Sequence, residues 1–233
     1  MPACHYDDLP LNEDMLLDLP FREGTGAITQ DLAKPHHAVD LINTPTWASE
    51  VSGLGVLTFD GTSEYAEAQG ADTADLDFTN GDYSVSAWIK WAAGQSSQIV
   101  IARYEVSVSG WEVYLYEAAP TFSLTLRHHH AAGATTRTGV NSLGWTQGVW
   151  HHMGISRVGA AAYHYRNGVL LDTTITPGGL IDPATCNQDL VIGIRYSKDT
   201  NWYKGSMWRP RVWGRALSAK EWLTLYELER GWF

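Results

Sequence analysis

The sequence predicts an all-β, antiparallel two-sheet sandwich carrying one short C-terminal helix, and three observations predict it. Strand-like segments joined by short turns recur about every ten residues through most of the 233-residue chain, which is the rhythm of a two-sheet sandwich. The stretch from Gly148 to Thr176 spells out three consecutive antiparallel strands. One helix is written clearly, from Ser218 onward.

The three-stranded stretch fixes its own register. Residues 149–156, 161–166 and 169–176 are its strands, with a short turn at Val158-Gly159 and the dipeptide Asn167-Gly168 between the second and third. Asn-Gly is the pair a type I′ turn requires, because both central residues need positive φ and the turn's twist matches that of the strands. A meander pinned at both turns cannot slip by one residue without turning every side chain to the wrong face.

Earlier in the chain, residues 29–35 and 43–55 read as loops from their Pro, Gly, Ser and Thr content, enclosing a short strand at 38–41. Residues 56–59 form the next strand. Residues 83–90 alternate strictly, with Tyr83, Val85, Ala87 and Ile89 on one face and Ser84, Ser86, Trp88 and Lys90 on the other, the period of a half-buried strand. Residues 97–103, 110–116 and 121–128 continue with β-branched and aromatic residues. After the meander come strands at 190–194 and 204–212, the latter interrupted by Pro210. Proline cannot donate to a ladder, so that strand ends, bulges or lies at an edge there. In the helix, Ser218 is the cap and Glu221 completes a capping box. Trp222, Leu225 and Leu228 form an apolar stripe for the sandwich, and Gly231 ends the helix.

Composition narrows the class of partner. Charged residues are 18% and hydrophobic ones 44%, which excludes a disordered chain, and no apolar run approaches the ~20 residues of a membrane span. A formal charge of −10 with no basic stripe argues against nucleic acid, whose affinity comes from clustered Lys and Arg. No membrane insertion is expected either. Cys4 and Cys186 are too far apart in sequence to suggest a disulfide framework or a metal spacing. Residues 1–14 hold two prolines and the acids Asp7, Asp8, Glu13 and Asp14. They read as an extended arm, frayed or docked on a neighbouring subunit, ahead of one domain at 15–233. The N-terminus has neither a basic n-region nor an apolar h-region, so no secretory signal is expected and localisation stays open, a virus particle included.

Several segments, in order, carry a family resemblance. Trp150-His151-His152, then Ser156-Arg157, a short turn, and Tyr163-x-Tyr165-x-Asn167-Gly168 resemble the laminin G-like, concanavalin A-type jelly roll. Residues 16–26 resemble its opening strand and F-x-E-G-x-G turn, and 58–65 its F-D-G-x-x-x-Y segment. Residues 82–90 resemble its F-T-I-S-A-W-V-K strand, and 211–218 its closing R-I-Y-N-R-A-L-S. The resemblance spans residues 15–229 and implies a concanavalin A-like lectin-glucanase jelly roll.

Enzymes of this architecture carry carboxylates at alternate strand positions, as E-x-D-x-E or with one extra residue. No such triplet occurs here. Glu112 stands alone on its strand, Glu64 and Glu67 have odd spacing, and Asp72, Asp75 and Asp77 fall in a loop. Glycoside cleavage needs two carboxyl groups about 5 to 9.5 Å apart, so no enzyme and no catalytic residue is expected. The resemblance also implies a structural calcium ion. Its first ligand position survives as Asp31, but Leu32-Ala33-Lys34-Pro35 replaces the permissive turn and Trp208 replaces the second carboxylate. Calcium takes six to eight oxygens, so no metal and no cofactor are expected. His36-His37, His128-His129-His130 and His151-His152 cannot each converge on one ion, since neighbouring strand residues face opposite ways.

Aromatics are the remaining signal, with 11 Trp and 11 Tyr. Trp88, Trp150, Trp213 and Trp222 have places in strands or the helix stripe. Trp111, Trp145, Trp202 and Tyr203 stand at strand ends or in loops, where exposed rings stack on sugars or anchor protein interfaces. The functional expectation is a non-catalytic binding or attachment module contacting glycans or neighbouring subunits. It would be a virion decoration or tail-associated protein in a larger assembly, with a stand-alone carbohydrate-binding lectin domain as the alternative.

Overall fold

Asn167 and Gly168 both take positive φ, 51° and 75°, so the meander turns where and how the Asn-Gly pair dictates. The computed structural model describes residues 6, 9–118, 121–130, 134–142, 144–171 and 179–233. In chain order the strands are β1 (Met15–Asp18), β2 (Ile28–Gln30), β3 (Ala38–Ile42), β4 (Thr46–Ser49), β5 (Gly55–Asp60), β6 (Tyr65–Ala68), β7 (Tyr83–Trp91), β8 (Ser97–Glu105), β9 (Ser109–Ala118), β10 (Thr121–His130), β11 (Ala134–Ser142), β12 (His151–Val158), β13 (Ala161–Arg166), β14 (Val169–Leu170), β15 (Leu190–Ile192) and β16 (Lys204–Trp213), followed by helix α1 (Ala219–Glu229). Of the expected third meander strand, 169–170 form β14 and 172–176 lie outside the described residues.

The strands make two antiparallel eight-stranded sheets among the described residues. The first runs β14-β13-β12-β7-β16-β5-β4 with β1 also on β16, and the second runs β11-β10-β9-β8-β15-β6-β3-β2. This is the predicted two-sheet jelly roll. Inward residues of both sheets, among them Leu17, Phe59, Val85, Ile89, Val113, Leu126, Ile155 and Val212, form one core cluster. No helix is long and apolar enough to cross a membrane among the described residues.

Pro210 produces a bulge, and the bulge does work in the fold. β16 pairs with β5 over Lys204 to Met207 and with β1 over Arg211 to Trp213. Its register against β7 shifts between Trp208 and Arg211, and Arg209 takes φ 53°. The missing donor is tolerated because an extra residue is accommodated where the strand changes partners.

Five readings of the sequence are corrected. Residues 43–55 contain the edge strand β4, and 29–35 begin inside β2. β10 continues to His130 and is followed by β11. β7 is buried on both faces rather than one, because the C-terminal segment covers its polar side: the Leu217 N–H donates to Ser84 Oγ at 2.8 Å, and Trp88 stacks on Phe233 at 4.3 Å. In α1 the Ser218–Glu221 capping box forms, and Trp222 and Leu225 are buried, but Leu228 is 67% exposed. The buried face continues through Glu229, seven residues after Trp222, and leaves Leu228 one step outside it.

The helix docks through Trp222, whose ring lies over Gly154 of β12 and beside Trp213 and Tyr165. Burying ~200 Å² of such a ring contributes about 5 kcal/mol before ordering costs. The described part of the N-terminal arm lies on its own sandwich: Trp213 Nε1 donates to the Leu11 carbonyl at 2.7 Å, and Arg215 donates to the Pro10 and Glu13 carbonyls, each at 2.9 Å. Cys186 is buried and free, and Cys4 lies outside the described residues.

Candidate functional site

The four aromatic candidates do not share a surface. Trp111 is fully buried, packed on Phe78 and Tyr83 with its Nε1 donating to the Leu76 carbonyl at 2.8 Å. The strand begins at Ser109, so Trp111 falls on the inward set with Val113 and Leu115. Tyr203 is fully buried too, edge-on to Phe59 with its hydroxyl donating to the Ser206 carbonyl at 3.0 Å. Trp145 is buried between Trp91 and His151. Their reading as surface residues is corrected: a strand end and a loop neighbour do not decide which way a ring points. Trp202 alone stays half-buried, packed on Tyr65 at 6.1 Å.

Trp202 belongs to a second aromatic layer on the outer face of the second sheet. Tyr65, Tyr104 and Tyr114 form a cluster there with Ile99 and Val191, and Tyr196 and Trp202 pack against it. The alternation that sends Trp111, Val113 and Leu115 inward sends Glu112 and Tyr114 outward. On the paired strand it sends Arg127 and His129 outward, and the register sets Arg127 directly opposite Glu112.

The result is a small polar pocket, about 150 Å³ in volume, with the paired Glu112 and Arg127 as its floor, Tyr104 and Tyr114 as its sides and Arg195 and Asn201 at its edge. Glu112 is 1% exposed. Arg127 Nη1 lies 2.9 Å from its carboxylate and His129 Nε2 lies 3.0 Å from it, and the Tyr104 ring stacks on His129 at 4.9 Å. His129 Nδ1 accepts from the Ser107 N–H at 3.0 Å, so Nε2 carries the proton that Glu112 receives. Arg127 also lies over the Tyr114 ring at 4.5 Å. Burial works against the Arg127 cation, and the Glu112 charge more than offsets it, so its pKa is raised. Burial, then the Glu112 charge, pushes the Tyr104 phenol far above its ordinary range. The floor is therefore rigid, charge-paired and satisfied, which a buried ion pair needs in order to persist. Arg195, with its guanidinium 6.0 Å from the Tyr196 ring centroid, and Asn201, whose Nδ2 donates to the Ser97 carbonyl at 3.2 Å, bring polar groups to the rim.

Such a floor holds its one carboxylate in ion pairs. A glycosidase needs one free carboxylate as acid and a second as base or nucleophile, whereas Glu112 is already paired with Arg127 and His129. Sequence reasoning set Glu112 aside because it stood alone. Its partner is supplied by the neighbouring strand, and only Glu112-x-Tyr114 and Arg127-x-His129, each one face of a strand, hinted at a shared surface.

The acids and histidines near the start of the domain form a closed network. Asp31 accepts from the N–H groups of Asp18, Ala33 and His37 at 2.8, 2.9 and 3.0 Å and pairs with His37 Nδ1 at 2.7 Å. His37 Nε2 reaches Asp75 at 2.9 Å. Burial opposes the His37 cation, yet its hydrogen bonds to Asp31 and Asp75 raise its pKa to about 9. The Asp31 oxygens are taken up by four donors, a cationic ring sits against them, and Trp208 offers no oxygen. These residues do not fit a calcium ion. His128 and His151 are separately engaged: His128 Nδ1 donates to the Ile181 carbonyl while Nε2 accepts from Tyr83, and His151 Nε2 accepts from the Thr146 N–H. No group of three or more metal-ligating side chains occurs among the described residues.

Two antiparallel eight-stranded sheets and a covering C-terminal helix define a concanavalin A-like jelly roll. A family model described as the concanavalin A-like lectin/glucanases superfamily, of laminin G type, matches residues 60–221, and the chain belongs to that family. Sequence comparison with curated proteins finds no match. Among solved structures, the binding domain of Paraclostridial Mosquitocidal Protein 1 is similar, with a TM-score of 0.71 and 14% identity over 93% of this chain and 52% of that one. The receptor binding domain of botulinum neurotoxin C/D mosaic serotype matches with a TM-score of 0.70 and 14% identity over 94% and 52%. The binding domain of botulinum neurotoxin DC in complex with SialylT matches with a TM-score of 0.66 and 13% identity over 94% and 52%. At these identities the likeness is one of fold, and the chain spans about half the length of the structures it matches.

Proposed function

We propose that this domain is a non-catalytic carbohydrate-binding module that holds one sugar residue in the Glu112–Arg127 pocket. The observation that carries the reading is a pocket of about 150 Å³ whose polar floor is already charge-paired and whose sides are Tyr104 and Tyr114. A sugar ring presents apolar C–H faces and hydroxyls that both donate and accept, so it is matched by aromatic rings beside fixed donors. Arg195 and Asn201 contact the hydroxyls from the rim and select the sugar, while Trp202 lies on the same face for a neighbouring residue of the glycan. Family membership and the SialylT complex of a structurally similar binding domain support the reading.

Two observations had suggested attachment to a larger particle, and both change. The described part of the acidic arm lies on its own sandwich, and three of the four aromatic candidates are interior. Neither then argues for a virion role or for self-association, and glycan recognition becomes the leading reading in place of the alternative.

A glycan array followed by calorimetry tests this. Binding of a defined glycan at micromolar level is expected, with Arg195→Ala and Asn201→Ala each weakening it at least tenfold, about 1.4 kcal/mol, while far-UV circular dichroism shows both variants folded. Binding to no glycan, or equal binding by both variants, would overturn the site, and release of reducing sugar would overturn the non-catalytic assignment.

A further inference from the structure

A second and larger concavity lies between the N-terminal arm and α1, remote from the Glu112 sheet face in the chain segments that form it. Its volume is about 520 Å³, inside the ~300–1,000 Å³ range of small-molecule sites. Leu9 of the arm, Leu54, Trp208, Leu228 and Trp232 are among the residues that line it, and Arg209 lies in its floor. Leu9, Leu228 and Trp232 are 46%, 67% and 48% exposed. Large apolar side chains converging from three parts of the chain on one concave site, rather than scattered singly, mark a place where something apolar is received.

The polar floor determines what that is. Asp18 receives Arg209 Nε and Nη2, each at 2.9 Å, and the Tyr6 hydroxyl. Glu229 receives Arg209 Nη1 at 3.1 Å, Arg211 Nη2 at 2.6 Å and Trp88 Nε1 at 2.8 Å. Two carboxylates face two guanidiniums, and every carboxylate oxygen already receives at least one donor. Arg209 uses three of its five N–H groups, so two remain. Its side chain is 24% exposed, while those of Asp18, Arg211 and Glu229 are 0%, 2% and 7% exposed. The floor therefore offers hydrogen-bond donors to an incomer and no free acceptor. Arg209 is held at φ 53° in the bulge of β16, a conformation that non-glycine residues adopt mainly where surrounding structure enforces it, and such residues gather at binding sites. An anion would add unbalanced charge to a neutral, largely buried cluster beside Asp18 and Glu229, whereas a neutral oxygen would satisfy Arg209 without that cost.

We propose that this concavity is a binding site for a neutral, mainly apolar small molecule carrying one hydrogen-bond-accepting oxygen, such as an alcohol, ester or amide, which accepts from Arg209 while its apolar body lies among Leu54, Trp208, Leu228 and Trp232. The site is independent of the glycan reading, because its residues are distinct.

The test uses the full chain and the neutral, carbonyl-bearing dye Nile red. Saturable fluorescence enhancement with one site per chain is expected. Leu228→Asp and Trp232→Ser, both at exposed positions and checked for unchanged melting temperature, should each weaken binding at least tenfold, and Arg195→Ala on the sheet face should leave it unchanged. 1-Octanol should displace the dye at concentrations at least tenfold below those of octanoate at pH 7. Absence of saturable binding, or unchanged affinity in both rim variants, would overturn the site. Octanoate competing as well as 1-octanol would overturn its preference for a neutral ligand.

Discussion

Acid should unfold this domain early, because three histidines are buried without charge. His128, His152 and His164 are fully buried, and burial is the largest cause holding each near a pKa of about 4. In the unfolded chain a histidine titrates near ~6.5. Between those values the unfolded state binds a proton that the native state does not, so each histidine's contribution is intact above pH ~6.5 and falls as pH drops toward 4. One such group costs about 1.4 kcal/mol per pH unit, hence ~3 kcal/mol over that window. Three together remove on the order of 10 kcal/mol, comparable with the ~5–15 kcal/mol net stability of a typical domain. His37 has the opposite sign. Its pKa is raised to about 9, so its contribution is full below pH ~6.5 and is lost as pH rises through 9. Asp18 and Glu229, both held below the ordinary carboxylate range by their arginines against burial, add to the acid loss at still lower pH. Urea unfolding followed by Trp fluorescence at fixed ionic strength should therefore show a stability maximum near pH 6.5 to 7. Burial lowers the His151 pKa as well, so the acid limb should be at least three times steeper than the alkaline one. A flat profile from pH 6.5 to 5, or limbs of equal slope, would refute the assignment of these histidines as neutral in the native state.

Replacing His152 separates that effect residue by residue: both ring nitrogens are buried without a partner among the described residues, between Trp88 and Trp222. His152→Phe should gain about 1–2 kcal/mol at pH 7 and reduce the acid slope by one proton, both readable from the same urea curves. A Cβ on Gly154 would stand 2.6 Å from the Trp222 ring, so Gly154→Ala should cost about 1–3 kcal/mol and loosen α1, seen as faster amide exchange across residues 219–229. Chelator should leave the melting temperature unchanged within about 1 °C, since the Asp31 oxygens are already taken; a drop of several degrees reversed by calcium would show a bound ion that stabilises the native state.

The sequence by itself determined the architecture. The period of two in 83–90, the Asn167-Gly168 turn and the Ser218–Glu221 capping box are local signals, each set by backbone sterics or by groups three residues apart, and local signals survive into the fold. Its proline reading also carried through, as a bulge at Pro210. What it did not determine was the outward or inward sense of residues at element ends, or anything that depends on which strand lies beside which. Trp111 and Tyr203 were open to either face until the starts of their strands were fixed, and one residue of difference turns a side chain over. Ser84, Ser86 and Trp88 carry a surface-like pattern that the C-terminal segment overrides by covering it. Glu112 gains meaning only when the register sets Arg127 opposite it, and Asp18, Arg209 and Glu229 meet from the two ends of the chain. A charge acquires its partner, and a pocket its walls, through contacts between residues far apart in sequence, and those are decided by packing, which no local pattern encodes.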